Sequence, residues 1–411
     1  MPRERGQRPP GTPARASERE RPLAGRRIYF VGIGGAGLSA YANIARAWGA
    51  EVAGWDARET IFMDTLAGVE VDVGGEPTPP PGFEVVVSSA HLGRAEGRTR
   101  AEFLAELVAL RASIVIGGAH GKTTTTAMVA YALREAGDDP SWIIGGVVPQ
   151  LGGNAGAGQG WLVVEGDESD RSLAGLRPEI AVVTNVDLDH HATFASRAEL
   201  ERFFEEWLER APTAIRGWQL EPVGFELAVP GEHNRLNAAC ALAALERAGV
   251  ERTAAERALA RFTGVARRFE LVGEARGVRV YDDYAHNPAE IEAALRTARH
   301  ERPRRLVAVY QPHVYERTRH LHAELGRALG LADAVVVTDL VGARDAPRAG
   351  VSGKLVLEAV PRGVRRGWAP TLEDAARLAL AWAGEGDVVV TLGVGEPWRA
   401  ARAIVEGLAA T

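Results

Sequence analysis

The chain has 411 residues, 46% of them hydrophobic and 25% charged, with a net charge of −6. This length exceeds one ordinary core and predicts two or three domains, and the negative balance gives no overall pull toward nucleic acid or anionic membrane. A single cysteine, Cys240, excludes a disulfide framework and any multi-cysteine metal site. No apolar run approaches the ~20 residues needed to cross a bilayer, so the expected compartment is the cytoplasm, with no membrane insertion.

Residues 1–22 are rich in Arg, Pro, Glu and Gly, carry almost nothing to bury and lack the apolar segment of a secretory signal. They read as a disordered tail. Beyond them, short β-branched runs alternate with Ala/Leu/Glu/Arg stretches, the pattern of an α/β protein with parallel sheets. Strands are predicted at 27–32, 51–55, 84–88, 114–117, 160–165, 180–184, 278–282, 305–310, 334–338 and 387–392. Helices are predicted at 38–48, 99–111, 123–136, 199–210, 236–248, 288–299 and 321–329. Composition and motif spacing divide the chain into the tail, a first domain at 23–112, a second at 113–265 and a third at 266–411.

Residues 27–37 read RIYFVGIGGAG, an apolar strand entering a turn with Gly32, Gly34, Gly35 and Gly37 ahead of a helix. Glycines here permit a tight turn and let backbone N–H groups approach a pyrophosphate at the helix N-terminus. Asp56 ends the next strand, where a carboxylate could bond a ribose or a base. Alone this is the fingerprint of NAD, but any diphosphate-linked nucleotide suits it.

Residues 114–126 read IVIGGAHGKTTTT, a second strand, loop and helix. Gly118, His120, Gly121, Lys122, Thr123 and Thr124 form a P-loop. Its backbone N–H groups cradle phosphates, Lys122 brings a compact positive charge, and the Thr123 hydroxyl can bind Mg²⁺. Ile116 stands where a strict Walker motif has its first glycine. A plain dehydrogenase has no use for this second, lysine-bearing site.

Two later strands end in polar clusters, LVVEGDESD at 162–170 and VVTNVDLDHH at 182–191. Ligands gather at the carboxyl ends of strands in such sheets. Glu165 and His190 could therefore hold a second Mg²⁺. Hard cations favour oxygen, so on chemistry alone His190 reads equally as a solvated histidine.

Together these segments resemble the Mur ligases, in the branch that adds L-alanine. The resemblance rests on FVGIGGAGLSA at 30–40, RAEFLAEL at 100–107, GAHGKTTTT at 118–126, EGDESDRS at 165–172, TNVDLDH at 184–190 and GEHNRLNA at 231–238. It continues with RRFE at 267–270, DDYAHNP at 282–288, QPHVYERTR at 311–319 and GVSG at 350–353. The resemblance implies three domains: a Rossmann-like domain holding a UDP-sugar, a central P-loop ATPase-type domain and a Rossmann-like C-terminal domain. The first glycine loop then serves UDP-N-acetylmuramate rather than NAD, with Ser89 beside it.

The resemblance further implies that Lys122 contacts the ATP phosphates, that Thr123 and Glu165 ligate Mg²⁺, and that His190 ligates a second Mg²⁺. Asn234, Asn237, Arg268 and Asp283 (or Asp282) approach the nucleotide, while His286, His313 and Arg317 place the muramyl substrate and alanine. The implied reaction activates the lactyl carboxylate as an acyl phosphate, which the amine of L-alanine attacks to give an amide, ADP and phosphate. His286 and Asp283 are the candidates for the general base. Domain closure is expected to exclude water from the acyl phosphate.

The chain departs from the family pattern at four positions: Ala119 in the P-loop, Asn287 for a second histidine, Val314 for an arginine, and His191 for an apolar residue. Between His190 and Gly231 only about 40 residues remain, where relatives carry a longer segment. A lost sheet edge could expose apolar surface. Three other readings stay open: a wall-recycling ligase that takes a tripeptide, a catalytically impaired nucleotide-binding relative, and, more distantly, a NAD-dependent oxidoreductase.

Overall fold

A computed structural model describes residues 21–66, 68–187, 193–342 and 347–410. The segment read as a disordered tail lies outside these residues over 1–20. Three sheets follow one another along the chain, as the α/β reading expects. The first contains β1 (Arg27–Val31), β2 (Glu51–Asp56), β3 (Glu70–Val73), β4 (Glu84–Val87) and β5 (Arg98–Thr99), ordered β3-β2-β1-β4-β5 and all parallel.

The second contains β6 (Ser113–Gly117), β7 (Ser141–Val148), β8 (Gly153–Gly156), β9 (Leu162–Glu165), β10 (Ile180–Val183) and β11 (Thr213–Arg216). Its order is β11-β10-β6-β9-β7-β8, and only β7 and β8 pair antiparallel. The third contains β12 (Glu270–Ala275), β13 (Val278–Asp283), β14 (Leu306–Tyr310), β15 (Ala334–Val337), β16 (Arg365–Trp368) and β17 (Val388–Leu392). It is ordered β12-β13-β17-β14-β15-β16 with an antiparallel β12–β13 edge.

Central strands are the ones the sequence announces. All five residues of β6, β14 and β17 are buried, because parallel strands covered on both faces need continuous apolar runs. The strands absent from the sequence reading are mostly edges: β3 (EVDV), β11 (TAIR) and β16 (RRGW) are half-exposed and carry charges that mask a strand pattern.

Eleven helices are present among the described residues. Those that place functional groups are α1 (Ala36–Ala47), α2 (Arg100–Leu110), α3 (Lys122–Glu135), α4 (Arg197–Leu208), α5 (Glu232–Arg247), α6 (Arg252–Ala260), α7 (Pro288–His300) and α8 (Tyr315–Leu329). Helix α2 opens on a capping box: Thr99 Oγ1 accepts from the Glu102 amide, and the Glu102 carboxylate accepts from the Thr99 amide. No helix among the described residues is long and apolar enough to cross a membrane.

The chain forms two compact units, one running to Phe225 and adding Leu236–Arg261, the other made of Glu226–Arg235 and Phe262 onward. Within the first unit one apolar core spans two sheets: Ile44 and Trp48 of α1 join the cluster that holds Val115, Ile143, Leu162 and Val164. Within the second, separate clusters cover the two faces of the third sheet, one with Ile291, Leu325 and Val356, the other with Trp382 and Ile404.

Candidate active site

In the second sheet β6 lies between β10 and β9, so three strand ends meet around the P-loop. The loop backbone is fixed by its neighbours. Asn185 Oδ1 accepts from the His120 amide at 2.9 Å, its Nδ2 donates to the His120 carbonyl at 2.9 Å, and the Thr184 hydroxyl donates to that carbonyl at 2.6 Å. Gly118 (φ 126°) leaves no room for a side chain, since a Cβ would lie 2.2 Å from Thr184 Oγ1. Gly121 (φ 79°) is likewise required, because a Cβ would lie 2.1 Å from Asn237 Oδ1 on α5.

Helix α3 starts against the usual rules. Its N-cap is Gly121, no side chain caps it, its first turn holds no acid and its first residue is Lys122. A cation at the positive end of a helix dipole is locally unfavourable. The arrangement makes sense when an anion is to meet the first amides of the helix, those of Lys122, Thr123 and half-buried Thr124.

Lys122 spends its ammonium on three acceptors: Gly118 O at 2.6 Å, Ala119 O at 3.2 Å and Glu168 Oε1 at 2.9 Å. Glu168 is 1% exposed. It stands in the acidic cluster quoted above, yet only Glu165 drew attention in the sequence, because nothing in EGDESD says which carboxylate turns inward. Glu165 accepts from the Thr123 hydroxyl at 2.8 Å and from the Gly145 amide at 2.6 Å. Gly145, in β7, is the second position sequence reasoning passed over, since a Cβ there would lie 2.7 Å from the Glu165 carboxylate. His190 and His191 lie outside the described residues. Among the described residues no group of three or more His, Cys, Asp or Glu side chains gathers to hold a metal.

The first glycine loop closes differently. The Gly34 amide donates to Asp56 Oδ2 at 2.9 Å and Thr60 Oγ1 donates to the Gly34 carbonyl at 2.6 Å. Asp56, 6% exposed, therefore turns back onto its own loop. Gly32 (φ 89°) abuts Ser88, Gly35 caps α1, and a Cβ on Gly37 would come within 3.4 Å of Arg100 Nη1. Exposed Ser89 borders a cavity of about 230 Å³ whose wall also includes Thr99, Arg100, Asp170, Arg171 and Ser172. Arg171 pairs with Glu199 and Arg100 lies 3.8 Å from Asp167, so the wall mixes charges of both signs with hydroxyls.

In the second unit Arg267 is a brace. It pairs with buried Asp282 at 2.8 Å and donates to the carbonyls of Gly393, Val394 and Gly395. Arg267 and Arg268 both lie over the Tyr284 ring, at 5.1 and 5.4 Å. Asp283 accepts from the amides of Phe269 and Ala285, both at 2.7 Å, and burial pushes its carboxyl up to about 6 despite nearby Arg268.

His286 Nδ1 lies 3.1 Å from Tyr284 O and 3.2 Å from Glu290 Oε2. Both partners accept, so Nδ1 carries the proton and Nε2 presents its lone pair. Burial holds this imidazole below its ordinary value, the Glu290 carboxylate working against that shift. Arg317, in the first turn of α8, contributes to the same field. His313 bridges to Val341 through its backbone, and Asn234 donates to Pro230 O at 2.6 Å.

Two departures from the family pattern acquire physical meaning. Asn287 is the N-cap of α7, its Oδ1 accepting from the Glu290 amide at 2.9 Å; histidine is not among the favoured caps. Val314 caps α8 at φ 72°, a conformation β-branched residues rarely adopt.

An uncapped helix N-terminus bearing lysine and threonine, with two carboxylates placed by β9 and the loop after it, has the form of a P-loop phosphate site. The description "Mur ligase middle domain" matches residues 116–216, and "Mur ligase, glutamate ligase domain" matches residues 267–395. The chain belongs to the Mur ligase family.

The UDP-N-acetylmuramate–L-alanine ligase of Renibacterium salmoninarum is 37% identical over an alignment of 449 residues, covering 93% of this chain and 96% of the relative. That alignment is longer than the 411 residues present here, so the relative carries residues this chain lacks. Among solved structures, the UDP-N-acetylmuramate–alanine ligase of Thermotoga maritima superposes with a TM-score of 0.76 at 26% identity, covering 92% of this chain and 98% of that one. A murein peptide ligase from Psychrobacter arcticus shares the fold, with a TM-score of 0.63 at 23% identity, covering 94% and 99%.

Proposed function

We propose that this protein joins L-alanine to the lactyl carboxylate of UDP-N-acetylmuramate at the expense of ATP, a cytoplasmic step in making peptidoglycan precursor. The observation that carries this reading is the group Lys122, Thr123 and Glu165 at the head of α3, in a chain 37% identical to a relative that bears that activity in its name. Residues 23–112 would hold the sugar nucleotide, 113–265 ATP, and 266–411 the amino acid.

A carboxylate is a poor acyl donor because oxide is a poor leaving group. Transfer of the γ-phosphoryl group to the lactyl oxygen, with ADP leaving, gives an acyl phosphate. The neutral amine of alanine then attacks the carbonyl carbon, phosphate departs with the C–O bond, and the amine loses a proton. Lys122 and the α3 amides stabilise the first step by position and charge rather than by covalent chemistry. His286 is the better placed of the two base candidates. Its Nε2 lone pair is available at neutral pH, whereas both Asp283 oxygens already accept backbone amides.

The Thr123 hydroxyl and the Glu165 carboxylate are hard oxygen donors 2.8 Å apart, a set that fits Mg²⁺ completed by phosphate oxygens and water. Such an ion would neutralise charge on the transferring phosphoryl group, and His190 would ligate a second Mg²⁺.

The test is phosphate release from ATP by purified protein with Mg²⁺ and UDP-N-acetylmuramate, comparing L-alanine, glycine, L-serine and a tripeptide. Release that depends on both sugar nucleotide and L-alanine is the expected result. Release with the tripeptide alone would move the protein to wall recycling, and absence of release from folded protein would refute the ligase reading.

A further inference from the structure

Lys122 has three ammonium protons and three acceptors, and one of these is an anion. A lysine needs only the two carbonyls of its own loop, Gly118 O and Ala119 O, to be held at the mouth of the cradle. The third partner is costly: a carboxylate 1% exposed, on the loop after β9, brought to 2.9 Å from an ammonium 16% exposed. Burying a carboxylate is tolerated only when a partner compensates it, so Glu168 and Lys122 depend on each other.

A phosphate arriving at the α3 N-terminus needs at least one of those three protons. The carbonyl partners are fixed by the backbone and stay beside Lys122 whatever binds. Glu168 is held by a side chain with three torsions, and a carboxylate and a phosphate repel one another across a shared cation. It is the partner that has to yield.

We propose that Glu168 is a positioning residue for Lys122, holding the ammonium over the P-loop and competing with the ATP phosphates for it, so that it trades nucleotide affinity for correct placement during transfer. This rests on the nucleotide reading of the P-loop above. It differs from the metal-site role of Glu165, whose oxygens engage Thr123 and Gly145 instead.

Two effects in opposite directions follow. Without the competing charge, ATP binds more tightly, because the phosphates become the only anions available to Lys122. Without the third anchor, the ammonium is less well placed for transfer. A residue that only stabilised the fold would move affinity and rate the same way, or neither.

The experiment measures ATP affinity by calorimetry on the full chain, then kcat and KM for ATP, in wild type, Glu168→Gln and Glu168→Asp, with melting curves for all three. Glu168→Gln is expected to bind ATP about tenfold more tightly and to lose about tenfold in kcat. Glu168→Asp keeps the charge and is expected to restore both values to within about threefold of wild type. Wild-type values in a folded Glu168→Gln variant would overturn the proposal, as would weaker ATP binding with a parallel loss of rate. If Glu168→Gln fails to fold, the decision falls to Glu168→Leu, which also removes the charge: tighter ATP binding with slower transfer supports the proposal, and affinity and rate that move together, or do not move, overturn it. Absence of ATP binding by wild-type protein would instead refute the nucleotide reading itself, which separates that failure from this one.

Discussion

The two glycine loops of the first unit share one local design and differ in the charge that closes them. Each follows a parallel strand, turns at glycine of positive φ (Gly32 in the first, Gly118 and Gly121 in the second) and opens a helix. At the first loop the closing group is the Asp56 carboxylate, which takes the Gly34 amide. At the second it is the Lys122 ammonium, which leaves the α3 amides for an anion and needs Glu168 as counter-charge. Backbone geometry makes both loops able to approach a ligand closely; charge decides which of them can cradle the phosphates of a nucleoside triphosphate.

The sharpest way to break this contrast is Lys122→Ala. Ligation should fall by roughly 1,000-fold or more, while binding of UDP-N-acetylmuramate stays within about threefold of wild type. Phosphate release and calorimetry measure the two, and loss of both would mean the loops have been assigned the wrong ligands.

A paired substitution comes next in size. Gly118→Ala meets Thr184 Oγ1 at 2.2 Å, and Gly32→Ala meets Ser88 Oγ at 2.4 Å, each at positive φ. Both should cost about 1–3 kcal/mol of stability in thermal melts. Gly118→Ala should raise KM for ATP and Gly32→Ala KM for the sugar nucleotide, and crossed effects would contradict the division of labour.

The third expectation concerns pH in the second unit. Asp283 must be ionised to accept from both Phe269 and Ala285, so activity should decline as pH falls through about 6. Its folded-state value lies above the ordinary 3.8, so the folded chain binds this proton more tightly than the unfolded one. Stability from this group accordingly rises as pH falls from about 6 toward 3.8 and is lost again as pH climbs. An acid limb in kcat/KM that survives Asp283→Asn unchanged would assign that limb to another group.

The smallest effect is Asn287→Ala, which removes the α7 cap and should cost about 1 kcal/mol in denaturant melts. A loss of activity much larger than that would give Asn287 a role beyond capping.

The P-loop and Glu165 were legible in the sequence because glycine, lysine and acids sit at fixed short spacings around strand ends, and DDYAHNP through its resemblance to the Mur ligases. Buried strands such as β6 and β14 were legible because a strand covered on both faces leaves no polar position to confuse it. Edge strands β3, β11 and β16 were not, since exposure lets them carry charges.

The sequence by itself determined the family through the resemblance of its motifs, and the order of the three α/β sections and the residue types at the phosphate loop through local spacing. Only the tertiary structure decided that Glu168 rather than a neighbouring acid faces Lys122, that Asp56 turns inward on its own loop, and that Gly145 makes room for Glu165. It also decided that Arg267 braces Asp282 and the carbonyls of Gly393, Val394 and Gly395 while sharing the Tyr284 ring with Arg268. Each of these depends on the direction a side chain takes when strands far apart in sequence are laid side by side, and spacing along the chain carries no record of that.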